Sequence, residues 1–231
     1  MNEILNNSKS EDMLEALFFG DSNINYKEVA NKLEQNTQIN IKKREECVKR
    51  CAKDFGINVW SSLEDSTKEI IVSAYLACFD LYRIGGKYNN TIHWLTGSLE
   101  EELKKKIFDD FNDWLSDYIE EFTDNFDKEY IEIFKKRNHV PGKVMLQKIE
   151  AVGFYKAKGI SGELKKFLQE DNWDLELLSD KNQLEKAFKL VNIRNKYAHF
   201  IEEEIAKLEN FFEARDKTIV VLKWFIDSYN Y

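Results

Sequence analysis

Apolar residues recur at every third or fourth position along most of this chain, which is the pattern of amphipathic helices. The segment 98–122 shows it most clearly, and the capping-box spacing of Ser98 and Glu101 predicts a helix that begins at Ser98. Between residues 100 and 127 there are eleven Asp or Glu against three Lys, so we expect the other face to be solvated. The apolar positions of this helix are Leu99, Leu103, Phe108, Phe111, Trp114, Leu115, Tyr118, Ile119 and Phe122.

A second helix is predicted from Ser61 to about Tyr82, and its centre, IIVSAYLACF, is apolar on nearly every side. A helix of that kind is surrounded by others, so we expect it to be the central helix of the fold. The stretch RIGGKYNN then interrupts the chain with two glycines and two asparagines. Further helices are predicted at about 127–137, 140–155 and 164–170, after a capping Asp180, and in DKTIVVLKWFIDSY near the C-terminus.

The first sixty residues differ, because short amphipathic pieces are separated there by Asn, Ser and Gly. We therefore predict an all-α fold, with an antiparallel helical bundle over residues 61–231 and a helical N-terminal extension over residues 1–60. The composition agrees, since the chain has one Pro and nine Gly in 231 residues and is rich in helix-forming residues. No internal repeat or low-complexity linker marks a further domain boundary.

Charge and hydropathy argue against two classes of protein. Lys and Arg number 34 against 42 Asp and Glu, and the net charge of −8 argues against a protein that mainly coats nucleic acid. The longest apolar run, 70–79, has ten residues, whereas about 20 are needed to span a bilayer. The N-terminus lacks the basic start and apolar stretch of a signal peptide. We expect a cytoplasmic protein with no membrane partner.

The three cysteines indicate neither a disulfide framework nor a metal site. Cys47 and Cys51 share a helical face and Cys78 lies in the apolar run 70–79, which suits reduced, partly buried thiols. Zinc needs four ligands at a closer, paired spacing. No cofactor and no metal are therefore predicted.

The candidate chemistry is concentrated in VNIRNKYAHF, residues 191–200, which places Arg194, Asn195 and His199 in a segment otherwise suited to a core helix. On a helix, Asn195 and His199 would lie about 40° from each other around the axis, so both could present polar atoms to one spot. Arg194 and His199 would lie about 140° apart. A long Arg side chain at a helix C-terminus could still reach the same pocket.

These three residue types suit cleavage of a phosphodiester bond in RNA. His can transfer protons at neutral pH, Arg offers a planar fork of donors to a phosphate that gains charge, and Asn can orient either group. No cluster of Asp, Glu and His has the spacing of a two-metal site, so we expect metal-independent attack by a 2′-hydroxyl on its own phosphate. The products would be a 2′,3′-cyclic phosphate and a 5′-hydroxyl, and DNA would resist cleavage.

The stretch IRNKYAHF resembles the signature of HEPN domains, α-helical bundles whose ribonuclease members carry an Arg, usually a polar residue after it, and a His a few residues further on. The resemblance implies that Arg194 and His199 are catalytic and that Asn195 supports them. It covers the motif closely and the helices of residues 61–231 loosely, whereas residues 1–60 match nothing in the family. Small stand-alone members resemble toxins or antiviral effectors, which implies an antitoxin or regulatory protein as a partner.

One motif supplies one histidine, whereas acid–base cleavage needs one group to take a proton and another to give one. Two chains related by a two-fold axis would supply both groups, and HEPN nucleases resemble this arrangement. A homodimer with a composite active site is therefore expected, with the two motifs meeting at its axis.

RNA would contact a basic segment of this otherwise acidic chain. From 135 to 166, nine Lys or Arg stand against two Glu, and such a segment can bind phosphates. A solvated pair of helices is the alternative interpretation of the same charges. His139 lies within the segment, whereas His93, beside Trp94, is interpreted as a packing residue. The candidate RNA contacts are Lys135, Lys136, Arg137, His139, Lys143, Lys156 and Lys158.

Two other functions stay open at this stage. A non-catalytic HEPN-like module would bind RNA, a nucleotide or a protein through the same fold without cleaving it. An all-α interaction protein would use the acidic helix 98–122 as its working surface. In that case the motif would be accidental and His199 would be a satisfied core histidine.

Overall fold

The fold is seen in a computed structural model that describes residues 26–84, 86–118, 141–154, 159–198 and 205–229. Within these ranges the chain is almost wholly helical and contains no β-strand, only one antiparallel bridge between Trp173 and Tyr229. The predicted all-α fold is therefore confirmed. Every helix in these ranges is too short or too polar to cross a membrane.

The chain divides into two compact units, residues 1–49 and 50–231. The boundary falls within the first described helix, and every contact discussed below belongs to the second unit. In chain order the elements are α1 (Tyr26–Phe55), α2 (Ile57–Ser62), α3 (Asp65–Ile84), α4 (Asn89–Leu103), a π-helical segment (Lys104–Phe108), α5 (Asp109–Tyr118), α6 (Gly142–Val152), α7 (Ile160–Glu170), α8 (Leu175–Leu178), α9 (Lys181–Ala198) and α10 (Leu208–Asp227).

Helix α4 is the centre of the second unit, since it contacts α3, α6, α9 and α10. Its polar residues are compatible with burial because their hydroxyls bond within the helix: Thr96 donates to the carbonyl of Ile92 at 2.7 Å, and Ser98 donates to that of Leu95 at 2.6 Å. The prediction that helix 61–82 is central was wrong. That helix is α3, which buries one side only and leaves Phe79 54% exposed.

The predicted helix start at Ser98 was also wrong. Helix α4 begins at Asn89, and its start is held by a partner far along the chain. The Asn89 side chain accepts a hydrogen bond from the backbone N–H of Ala206 at 3.0 Å, and the N–H of Tyr88 donates to the Ala206 carbonyl at 3.2 Å. Ser98 and Glu101 have the spacing of a capping box, but they lie in the middle of this helix.

The charge pattern had suggested that the acidic face of this segment is solvated. On α4 this is only partly so, because Glu100 and Glu102 are both buried. Glu102 accepts a hydrogen bond from the backbone N–H of Glu64 at 3.1 Å, just before α3 begins. Lys106 lies 3.8 Å from the same carboxylate and 3.0 Å from that of Glu64. Burial nevertheless raises the pKa of the Glu102 carboxyl, because the charged form loses its hydration.

The raised pKa of Glu102 predicts a pH effect on stability. The folded state binds the proton more tightly than the unfolded state does, so this contribution is fully present below the unfolded pKa and is lost as pH rises through the folded pKa. Glu102→Gln keeps an acceptor for the Glu64 N–H and removes the charge. We expect the free energy of unfolding of Glu102→Gln minus that of wild type to be larger, meaning that the variant is relatively more stable, at about pH 7 than at about pH 4.

Urea denaturation at the two pH values measures this difference. The matched control is Asp113→Asn, which removes one exposed carboxylate from the neighbouring helix α5. A Glu102→Gln protein that loses more stability at neutral than at acidic pH, relative to wild type, would contradict the prediction.

Candidate active site

Helix α9 positions the candidate catalytic residues at its C-terminal end. Asp180 caps its start as predicted, because its carboxylate accepts a hydrogen bond from the N–H of Gln183 at 2.9 Å. Leu190 and Val191 are buried on the side that contacts α4 and α10. Arg194 follows them at positions i+4 and i+3, so it continues the same face of the helix. Its side chain is therefore directed into the bundle.

The Arg194 guanidinium contacts a buried carboxylate of the central helix. Its Nη1 lies 3.2 Å from Oε2 of Glu100, and the two side chains are 23% and 6% exposed. The same Nη1 donates a long hydrogen bond to Oδ1 of Asn195 at 3.4 Å. Within the described part of the chain, Nε of Arg194 is buried and has no hydrogen-bond partner. Glu100 therefore holds the guanidinium of Arg194 through Nη1, while the N–H group on Nε makes no hydrogen bond within the described residues.

Gly142 leaves room for this ion pair, because a Cβ atom there would lie 3.1 Å from Oε2 of Glu100, closer than an ordinary van der Waals contact. A Cβ atom on Gly97 would lie 3.9 Å from Nε of Arg194, which is an ordinary contact distance. Gly142 is the first residue of α6, so the carboxylate lies between the guanidinium and the positive end of a helix dipole.

His93 also lies at this place, although the sequence pattern indicated only a packing role. It is half-buried, and its Nδ1 lies 3.3 Å from the backbone carbonyl oxygen of Arg194. A carbonyl only accepts, so Nδ1 carries the hydrogen in this contact. His93, Gly97 and Glu100 are spaced at i, i+4 and i+7, and all three approach Arg194 from one stripe of α4.

The structure brings Arg194 and Asn195 together, both half-buried. His199 lies outside the described residues, but it directly follows Ala198, the last residue of α9. When the described chain resumes, Ala206 is bonded to the start of α4. The first half of α4 therefore contacts both Arg194, near the end of α9, and Ala206, after the segment outside the described residues.

Of the candidate RNA contacts, only Lys143 belongs to the described residues. It is exposed and directly follows Gly142, where an added Cβ atom would lie 3.1 Å from Oε2 of Glu100. The candidates outside the described residues are Lys135, Lys136, Arg137, His139, Lys156 and Lys158.

Sequence reasoning missed Glu100 and His93 as members of this site. Glu100 was assigned to a solvated face and His93 to packing. The stretch HWLTGSLE does carry a signal, since His93, Gly97 and Glu100 form a polar or small stripe at positions i, i+4 and i+7 of one helix. Such a stripe indicates a contact with a polar partner from another element.

Comparisons of this chain with models of protein families, with curated proteins and with solved structures found no match. Within the described ranges, no three His, Cys, Asp or Glu side chains lie close enough together to hold a metal ion.

Proposed function

We propose that this chain is a metal-independent endoribonuclease of the HEPN type, with its active site at the end of α9. One observation carries the proposal: Arg194 and Asn195 are in contact near the end of α9, five and four residues before His199 in the chain. A guanidinium, an amide and an imidazole are thus supplied by one short segment. A toxin or antiviral effector, controlled by an antitoxin or regulatory protein, is the role that the HEPN resemblance favours.

The proposed reaction needs no group beyond the substrate and the protein. The 2′-oxygen of the RNA forms a bond to the adjacent phosphorus as its proton leaves, and the bond from phosphorus to the 5′-oxygen breaks as that oxygen gains a proton. His199 transfers one of these protons. Arg194 stabilises the charge that develops on the phosphate oxygens, and Asn195 orients the guanidinium.

The reaction requires a second proton-transfer group besides His199. A second chain at a two-fold axis would supply it, and a homodimer with a composite site is the arrangement that the resemblance implies. His93 of the same chain is the other source. Lys143 and the basic residues around it in sequence are the proposed contacts for the RNA backbone.

The test is cleavage of RNA by the purified full-length chain in the presence of EDTA. We expect products that end in a 2′,3′-cyclic phosphate and a 5′-hydroxyl. An otherwise identical RNA with a 2′-deoxy sugar at the cleaved position should stay intact, because it lacks the nucleophile. Cleavage of that substrate, or cleavage that requires an added divalent metal, would contradict the mechanism.

The ion pair with Glu100 favours a second candidate function. In this alternative Arg194 is structural, because its guanidinium holds a buried carboxylate between α4 and α6, and the fold binds RNA, a nucleotide or a protein without cleaving it. The same experiment separates the two functions. RNA that is bound but stays intact at high protein concentration supports the binding module.

A further inference from the structure

We propose that Glu100 is a positioning residue of this site, and that its carboxylate sets the orientation in which the Arg194 guanidinium meets the phosphate of the RNA. The inference rests on the proposed ribonuclease function and deepens it. It adds a residue of the central helix α4 to a motif that lies on α9. Both residues belong to one chain, so the role is the same in each copy of the expected homodimer.

The contact between the two side chains is short and shielded from water. Nη1 of Arg194 lies 3.2 Å from Oε2 of Glu100, and only 6% of the Glu100 side chain is exposed. Attraction between opposite charges is stronger where water is excluded. Helix α6 confines the carboxylate as well, since a Cβ atom added to Gly142 would lie 3.1 Å from Oε2. Glu100 therefore has little room to move, and its charge holds Nη1 of Arg194.

The guanidinium keeps donors for a substrate while it is held in this way. Glu100 and Asn195 both contact Nη1, Asn195 through Oδ1 at 3.4 Å, whereas a guanidinium carries five N–H donors in a fixed fork. No described residue accepts a hydrogen bond from Nη2, and the Arg194 side chain is 23% exposed. The donors on Nη2 are therefore the ones that can meet a phosphate oxygen.

A guanidinium that is already oriented can stabilise a developing negative charge at lower cost. An arginine side chain has many rotamers, and fixing it in one of them costs entropy. Glu100 fixes Arg194 when the protein folds, so this cost does not recur when the phosphate gains charge. The contribution of Glu100 thus belongs to the transition state rather than to the binding of RNA.

Glu100→Gln tests this role, because it keeps the shape of the side chain and removes the charge that holds Arg194. We expect kcat for RNA cleavage to fall about 10–100-fold, a typical cost of losing a group that orients another. KM should not rise, since the Arg194 charge remains and a carboxylate that repels RNA is gone. The matched control is Glu101→Gln, the same substitution at the next residue of α4, which should cleave at the wild-type rate.

A double-mutant cycle shows whether Glu100 acts through Arg194. In an Arg194→Ala background, Glu100→Gln should cause no further loss of kcat, because no guanidinium is left to orient. A further loss of the same size would show that Glu100 acts by itself, on the substrate or on the fold, and would overturn the inference. So would a Glu100→Gln protein, folded by circular dichroism, whose kcat is that of wild type or in which only KM changes.

Added guanidinium ion gives a readout that does not depend on cleavage. In Arg194→Ala, the free ion can occupy the place of the missing side chain and pair with Glu100. We expect guanidinium chloride, far below denaturing concentrations, to raise the Tm of this variant above that in equal sodium chloride. The double variant Arg194→Ala, Glu100→Gln should show no such rise. Equal behaviour of the two variants would mean that Glu100 does not hold a guanidinium, and the inference would be lost.

Failure of this inference is distinguishable from failure of the proposed function. If Arg194→Ala lowers cleavage and Glu100→Gln does not, only the role of Glu100 is lost. If a folded Arg194→Ala protein cleaves RNA as wild type does, the ribonuclease site itself is wrongly placed. Should Arg194→Ala fail to fold, the split between kcat and KM in Glu100→Gln decides the role of Glu100 by itself.

Discussion

Replacing His199 with alanine is expected to lower the rate of RNA cleavage about 10²–10⁴-fold, because positioned proton transfer contributes that much to a reaction of this kind. Arg194→Ala should lower it about 10²–10³-fold, as removal of one donor to a developing negative charge does elsewhere. Both rates are measured on one RNA substrate in EDTA under single-turnover conditions. The double variant should be little worse than the slower single variant, since residues that act as a unit are not additive.

The control for these substitutions is Lys189→Ala, which removes an exposed cation from α9 without touching the Arg194 pair. It should cleave RNA at the wild-type rate. Cleavage that survives His199→Ala would remove the catalytic assignment. A folded double variant that retains whatever activity the chain has would favour the alternative in which the motif is accidental and the protein acts through another surface.

The parts of the fold that could be predicted are those that local sequence determines. The helical period of apolar residues predicts α7, α9 and α10. The cap of α9 is also local, because the Asp180 side chain accepts from the N–H of Gln183, three residues further along the chain. Few Gly and a single Pro favour long helices. None of these inferences needs to know which helix contacts which.

The errors arose where a distant partner decides the structure. Asn89, rather than Ser98, begins α4 because its side chain meets the backbone of Ala206. Glu102 is buried because it accepts the N–H of Glu64 before α3. A charge pattern along one helix does not reveal these partners, so an acidic stretch predicts solvent exposure unless the opposite element is known.

The candidate site divides in the same way. Arg194 and Asn195 are neighbours on one turn, so the motif could be found from its spacing. Glu100 and His93 contact Arg194 only because α4 packs against α9. Their contribution became visible once the two helices were placed side by side.

The second large effect is expected on stability, from separating Arg194 and Glu100. Arg194→Met leaves a carboxylate that is 6% exposed without its guanidinium. Removing one partner of a buried ion pair costs about 3–5 kcal/mol. Because the Arg194 side chain is 23% exposed, water can partly replace it, and we expect the lower end of that range, about 3 kcal/mol. Urea denaturation followed by tryptophan fluorescence measures the change.

The double variant Arg194→Met, Glu100→Gln decides whether this loss comes from the pair itself. With both charges removed, no buried carboxylate is left uncompensated, so the double variant should be more stable than Arg194→Met alone. The matched cycle uses Glu185 and Lys189, an ion pair on the same helix with side chains 65% and 66% exposed. That pair should show no measurable coupling. If Arg194 and Glu100 show no coupling either, the guanidinium does not stabilise the carboxylate. The role of Arg194 is then confined to binding the substrate.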